Sequence, residues 1–241
     1  MDAVAKLSAY FQQNDYEIRI VGVPKTIDND LVMTDHTPGF GSAAKYIATT
    51  MHEILRDCAV YRVRAVTIVE IMGRDAGWLT ASAALPAAVG APAPDLIYLP
   101  EVDFDMDRFL ADVERVYKEK NNCLVAVSEG VHYADGSFVS EAKTSGTDGF
   151  GHAQLGGLAA MLADVVKKET GAKVRGIELS LLQRCGAHLA SETDIEESFM
   201  AGKAAVENAI NGISGRMVGF ERGIKDGKYA CKTKLIPLME V

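Results

Sequence analysis

Residues 24–30 read PKTIDND and follow directly on the apolar run EIRIVGV. Asp28 and Asp30 flank Asn29, Lys25 and Thr26 stand just ahead, and only Ile27 is apolar among residues 25–30. A plain turn satisfies its own backbone with one or two such residues, so this density of polar groups points to a surface that holds something charged. One carboxylate could take a proton from an alcohol while the other neutralises or positions a cation. Lys25 offers positive charge where phosphoryl oxygens would develop negative charge. Arg74, in the MGRD that follows VTIVEI, offers a second, and Glu129 ends the run LVAVSEG. Phosphoryl transfer asks mainly for such positioning and electrostatic stabilisation. A further cluster, Arg175 and the ELSLLQR segment closing on Arg184, could grip a phosphate already on the substrate, since the planar guanidinium matches phosphate bidentately.

Each of these residues also has a structural reading. Asp28 and Asp30 could form an Asx-turn and cap a helix. Arg74 could be a loop arginine, Glu129 a solvated strand end, and Arg184 could lay its stem over an apolar face. His152 and His188 have no cysteine or carboxylate at ligand spacing and read as structural or surface residues. The single tryptophan, Trp78, reads as core. The argument for an anion-handling site rests on convergence. Three strand-like runs end in charged groups, and ligands of open parallel sheets bind beyond the carboxyl ends of the strands. If those strands are neighbours, Lys25, Asp28, Asp30, Arg74 and Glu129 share one rim.

The elements that would position these groups alternate. Val4, Leu7 and Phe11 mark a helix over 2–13, EIRIVGV a strand, and Ala44, Ile47, Met51, Ile54 and Leu55 a long helix from about Ser42. RAVTIVEI (64–71) and CLVAVSEG (123–130) read as buried parallel strands. Shorter strands are expected at 95–100 and VRGIEL, and helices over GWLTASAALPAAV, 105–117, 192–211 and from Gly151 to a C-cap at Gly171. LIPLMEV is strand-like. The longest loop is ADGSFVSEAKTSGTDGFG (134–151). This alternation gives an α/β fold class with mostly parallel sheets flanked by helices.

The chain of 241 residues carries 48% apolar and 24% charged residues and a net charge of −8. That balance argues against nucleic-acid or membrane-surface partners, which need a broad positive field. Cys58, Cys123, Cys185 and Cys231 are scattered without a CxxC pair, so neither a disulfide framework nor a zinc spacing is evident and no metal ligands are assigned. A reducing, cytoplasmic setting follows. The opening MDAVAKLSAYF reads as an amphipathic helix, and no apolar run approaches membrane-spanning length.

Taken in order, PKTIDNDL, TDHTPGFGSA, VEIMGRDAGWLTA, VSEG and ELSLLQR resemble the phosphofructokinase family, most of all its pyrophosphate-using bacterial branch. The resemblance implies a three-layer α/β/α fold, an oligomer, Mg²⁺, and transfer of a phosphoryl group to the 1-hydroxyl of fructose 6-phosphate. It casts Asp28 as the base, with Asp30 beside the transferred group. Thr26, Ile27, Met72, Gly73, Arg74 and Glu129 would contact the sugar phosphate. Arg175 and Arg184 would hold its 6-phosphate, one of them across a subunit interface. Lys25 stands where ATP-using relatives usually carry glycine; its charge suits compact pyrophosphate and its stem obstructs a nucleotide, with ATP the alternative donor. The implied domains are a remnant of the donor-binding domain (1–40), a sugar-phosphate domain (41–184) and a return segment (185–241).

The sequence also departs from that family. The glycine-rich GGDxPG-like and GGDGS-like loops that cradle the donor are absent, and the pattern implies a fragment or truncated gene product, incomplete at both ends. A non-catalytic sugar-phosphate-binding module is therefore the reading from another class. Leu181 stands where the family has His or Tyr. The arginine that reaches a neighbouring subunit aligns with Ala65, and Arg64, one residue away, would face the other side of a strand.

Overall fold

The computed structural model describes residues 1–60, 65–140 and 156–241. The chain divides into two compact units, Met1–Ser42 with Ala190–Val241, and Ala43–Leu189.

The second unit is built on a four-stranded sheet in the order β3 (Leu96–Tyr98), β4 (Asn122–Ser128), β2 (Ala65–Ile71), β5 (Lys173–Glu178), with every pairing parallel. All but the first residue of both β2 and β4 are buried, which is why these central strands read as continuous apolar runs. Side chains alternate across the sheet. Val66, Ile68, Val125 and Val127 pack into one core cluster with Phe109, Val113 and Val116 of α5 (Met106–Lys120) and Leu158, Leu162 and Val166 of α6 (Leu158–Thr170). Each such side chain contributes about 1.5–3 kcal/mol on burial. Asp105 caps α5, its carboxylate accepting from Arg108 N at 2.8 Å, and Asn121 closes the helix in the left-handed region. Gly171, at φ +65°, closes α6 as its position predicts.

The first unit holds a three-stranded sheet, β1 (Val21–Gly22), β6 (Arg216–Lys225) and β7 (Lys228–Pro237). β1 runs parallel to β6, and β6 and β7 form an antiparallel hairpin. Asp226 and Gly227 make the two-residue turn, both with positive φ (53° and 74°), the geometry that matches strand twist. Ala201 and Ala205 of α7 (Glu192–Ile210) pack on Val218 and Phe220, while Met1, Val4 and Ala5 pack on Met217, Ile236 and Leu238 beside α1 (Asp2–Gln13). The sheet is thus covered by a helix on each face. Helix α2 (Phe40–Val60) begins in this unit and continues into the other.

The α/β class with helix-flanked sheets is as the sequence predicts, and several details differ. The first strand is a two-residue ladder, and Ile18 and Val23 are exposed. The GWLTASAALPAAV helix is broken into α3 (Trp78–Ala81), a 3-10 turn (Ser82–Ala84) and α4 (Leu85–Ala88). Trp78 opens α3 and is 56% exposed, so it is not core. LIPLMEV enters β7 but leaves it as a 3-10 turn, Leu238–Glu240. The expectations for Arg64, His152, 141–151 and the start of the Gly151 helix fall outside the described residues. Among the described residues no helix is long and apolar enough to cross a membrane.

Glu70 is the buried exception on the apolar face of β2, 2% exposed. Its Oε2 accepts from Ala159 N at 2.8 Å in the first turn of α6, and its Oε1 is buried without a hydrogen-bond partner among the described residues. Burial pushes this carboxyl above the ordinary 4.5, the Ala159 amide opposes the shift, and Glu178 on the neighbouring strand adds to it. The folded chain therefore keeps a proton that the unfolded chain has released. Its contribution to stability is complete below pH 4.5, falls as pH rises, and levels off above the raised folded value. Urea unfolding measured from about pH 4 to about pH 8 should show this decline, and Glu70→Gln should flatten it.

Candidate active site

The carboxyl ends of β2 and β4 are held together by their own loop residues. Register pairs Ile71 with Ser128, so Met72-Gly73-Arg74 and Glu129-Gly130 leave the sheet at the same level. Ser128 Oγ donates to Gly73 O at 2.6 Å and accepts from Gly130 N at 3.1 Å. Gly73 N donates to Glu129 Oε1 at 3.2 Å, and Glu129 N to Ile71 O at 2.9 Å. Two glycines are required here. Gly73 has φ +121°, and a Cβ on it would lie 2.5 Å from Ala76 O. A Cβ on Gly130 would overlap the Arg74 carbonyl. Where two backbones approach this closely, only hydrogen fits.

Arg74 emerges from this lattice half-buried, and its Nε is buried without a hydrogen-bond partner among the described residues. A guanidinium stays charged at any accessible pH. A buried donor left unmade costs about 1–3 kcal/mol, so the geometry holds this group ready for an acceptor. Gln183, 3% exposed, braces the same edge: its Oε1 accepts from Met72 N at 3.1 Å, and its Nε2 donates to Ser180 O at 3.2 Å. Gln183 thereby ties the 3-10 segment Ser180–Arg184 to the MGR turn, and Arg184 stands exposed at the end of that segment. Arg175 is elsewhere. It sits in the middle of edge strand β5, opposite Thr67, with Nη1 3.3 Å from Asp57 Oδ2 on α2.

The KTIDND segment belongs to the first unit. Lys25 and Asp30 are exposed, whereas Thr26, Ile27 and Asp28 are half-buried. Asp28 N donates to Thr26 Oγ1 at 3.1 Å, and Asn29 takes φ +58°, so the loop folds around the threonine hydroxyl. Thr26 also bridges Gly39 in parallel, and Thr37 Oγ1, fully buried, donates to Thr26 O at 2.8 Å. Gly39, at φ +101°, packs where its Cβ would meet Ile27 Cγ2 at 3.1 Å. Asp194 holds the far side. Its Oδ1 accepts from Gly39 N at 2.7 Å, and its Oδ2 accepts from Ser42 N at 3.1 Å and from Ser42 Oγ at 2.5 Å. The N-terminus of α2 is therefore met by Asp194, 155 residues from Gly39, where the sequence reading offered Asp28 or Asp30 as a cap.

The condition on which a shared rim was expected, neighbouring strands, is met only in part. β1 pairs with β6 and lies in the three-stranded sheet, so Lys25, Asp28 and Asp30 are carried by one unit and Arg74 and Glu129 by the other. Within the second unit the neighbouring β2 and β4 do bring Met72, Gly73, Arg74 and Glu129 together. Gln183, Ser128, Thr37 and Asp194 were not singled out from the sequence; the first three lie inside the quoted motifs ELSLLQR, VSEG and TDHTPGFGSA, and only Asp194 lies outside them. Among the described residues, one group of three potential metal ligands occurs, His36, Glu197 and Cys231. Its imidazole and thiol do not suit Mg²⁺, which takes oxygen ligands.

The sequence profile of the phosphofructokinase family matches residues 1–209, and the chain belongs to that family. It is 45% identical over 242 residues to a pyrophosphate–fructose 6-phosphate 1-phosphotransferase of Xanthomonas campestris and 40% identical over 242 residues to one of Halomonas elongata. Each alignment takes in 100% of this chain and 57% of the relative, so the chain spans little more than half the length of these curated relatives. The crystal structure of a pyrophosphate-dependent phosphofructokinase from Nitrosospira multiformis superposes with a TM-score of 0.84 at 36% identity, over 100% of this chain and 56% of that one.

Asp194→Asn would set an amide donor against the amide and hydroxyl donors of Gly39 and Ser42. It is expected to cost about 2–3 kcal/mol in denaturant unfolding. Deuterium exchange should rise specifically across residues 24–42.

Proposed function

We propose that this chain carries the phosphoryl-transfer chemistry its relatives are named for, from inorganic pyrophosphate to the 1-hydroxyl of fructose 6-phosphate, giving fructose 1,6-bisphosphate. The observation that carries the reading is the Arg74 guanidinium, held by a glycine-lined turn at the carboxyl edge of a parallel sheet with a buried donor awaiting an acceptor. The substrate's oxygens supply that acceptor. Thr26, Ile27, Met72, Gly73 and Glu129 are assigned to the sugar and its hydroxyls, and Arg184 to the 6-phosphate. Arg175, exposed on an edge strand, is assigned the same phosphate from a neighbouring copy in a homo-oligomer.

In the reaction, Asp28 takes the proton of the 1-hydroxyl as that oxygen forms its bond to phosphorus. The bond from this phosphorus to the bridging oxygen of pyrophosphate breaks, and orthophosphate leaves with the electron pair. Asp30 orients the transferred group. Lys25 and Arg74 oppose the charge that develops on the phosphoryl oxygens. Mg²⁺ belongs to this proposal as the cation of the diphosphate. The described residues offer no all-oxygen cluster that fits it, so no step is assigned to the metal. The four free cysteines support a reducing, cytoplasmic setting.

The alternative donor, ATP, is separated by assay. The purified chain, supplied with fructose 6-phosphate, Mg²⁺ and either donor, should form bisphosphate faster from pyrophosphate. Lys25→Gly should move the preference toward ATP. Asp28→Ala should lower kcat by about 10²–10⁴-fold with a much smaller change in fructose 6-phosphate affinity. Turnover within a few-fold of the parent in Asp28→Ala would refute the assignment of the base. Fructose 6-phosphate binding without turnover from either donor would instead make the chain a sugar-phosphate-binding module.

A further inference from the structure

We propose that His36, Glu197 and Cys231 form a binding site for a divalent transition-metal ion of the zinc class, apart from the residues assigned to phosphoryl transfer. The three side chains come from the segment before α2, from α7 and from β7, all within the first unit. Their potential ligand atoms lie within 4.8 Å of one another. His36 Nε2 is 2.6 Å from Glu197 Oε2, and Tyr229 Oη donates to Glu197 Oε1 at 2.6 Å. A His–Glu–Tyr hydrogen-bond triad is enough to satisfy a buried carboxylate. A thiol facing the same carboxylate goes beyond that need, and it converts the set into nitrogen, oxygen and sulfur donors around one point. Such a set suits zinc-like ions rather than Mg²⁺ or Ca²⁺.

The donors are held for the task. The His36 ring stacks on Phe220, centroids 4.9 Å apart and planes at 24°. Its backbone is pinned on either side: Thr34 Oγ1 donates to His36 O at 2.8 Å, and Asp35 N donates to Phe220 O at 3.1 Å. Glu197 is 7% exposed on α7, and Cys231 is fixed in β7 opposite Arg222. Tetrahedral zinc, with bonds of about 2.0–2.3 Å, places its ligand atoms about 3.3–3.7 Å apart. Parting His36 from Glu197 by about 1 Å and drawing the sulfur inward by side-chain rotation meets that spacing. A cavity of about 310 Å³ lined by Glu197, Tyr229, Cys231, Thr193 and Met200 opens onto two of the three ligands, Glu197 and Cys231. It gives an entry path and room for water at a fourth position, and Tyr229 would orient the carboxylate from behind. His36 immediately precedes Thr37, whose hydroxyl holds Thr26, so a bound ion would brace the segment behind the KTIDND loop.

The test uses the chelator-stripped 241-residue chain, titrated with Zn²⁺ by calorimetry and with Co²⁺ by absorption. The expected result is one ion per chain and a cobalt–thiolate charge-transfer band. Cys231→Ser should abolish the band, while Cys185→Ser, at an exposed cysteine, should keep it. His36→Gln should weaken Zn²⁺ by about 100-fold or more, since even outer partners of metal ligands are worth about 10–100-fold. Circular dichroism of each metal-free variant reports its fold. A second readout needs no variant: Zn²⁺ should protect Cys231 of the parent chain from alkylation, read by peptide mass spectrometry. No bound ion, an unchanged band in Cys231→Ser, or unprotected Cys231 at saturating Zn²⁺ would each overturn the proposal.

Discussion

The hydrogen bonds that join Gly73 to Ser128 and Glu129 are the constraint on which the candidate site depends. They lock two strand ends whose register already sets them level. They also oblige the chain to use glycine at 73 and 130, because any side chain would collide with backbone that cannot move away. The consequence is electrostatic. The Met72, Gly73, Glu129 and Gly130 amides at this edge are satisfied internally, and what is left over is a guanidinium whose buried Nε has no partner among the described residues. A site that spends its hydrogen bonds on its own frame and leaves one charge unanswered is preorganised for an anion, and no reorganisation is needed when the anion arrives.

The KTIDND segment follows the same logic with different parts. Thr26 is held at its carbonyl by Thr37 and at its hydroxyl by the Asp28 amide, while Asp194 anchors Gly39 and Ser42 behind it. Helix α7 supplies Asp194, and one turn later it supplies Glu197 to the His36 cluster. One buried face of α7 thus braces the segment from Thr34 to Ser42 at two points, through a carboxylate that caps α2 and a carboxylate that faces an imidazole and a thiol. A metal ion at the second point and a substrate at the first loop would act on a common piece of backbone.

What the sequence disclosed, and what it withheld, follows from how local each signal is. The central strands were legible because strands buried on both faces must be apolar throughout, and the charged residues ending those runs drew the eye to Arg74 and Glu129. The paired carboxylates of TIDND were legible from their polar density alone, since the apolar run before them forms only a two-residue strand with Ile18 and Val23 exposed. Asp194 was not, since its partner lies 155 residues away and its sequence surroundings are those of any acidic helix start. His36, Glu197 and Cys231 show no ligand spacing, and only the β6–β7 hairpin folding back beside α7 gathers them. That hairpin did leave a signal, the Asp-Gly pair inside KDGK. That β1 does not neighbour β2 and β4 was not legible, because a strand-like run says nothing about which sheet it joins: β1 found its partner in β6, near the other end of the chain. Trp78 reached the surface because it opens a single-turn helix whose buried positions are Leu79 and Thr80.

The central claim is that the frame around Arg74 exists to present its guanidinium to a sugar phosphate. Calorimetric titration of fructose 6-phosphate into the chain and into Arg74→Ala tests it most directly. Losing one partner of a buried, hydrogen-bonded charge pair costs about 2–5 kcal/mol. The account therefore predicts binding by the parent and a weakening of about 30-fold to well over 1,000-fold in the variant. Affinity in Arg74→Ala within about two-fold of the parent, with both proteins folded, would contradict it, since an interaction worth so little could not be the reason for the frame.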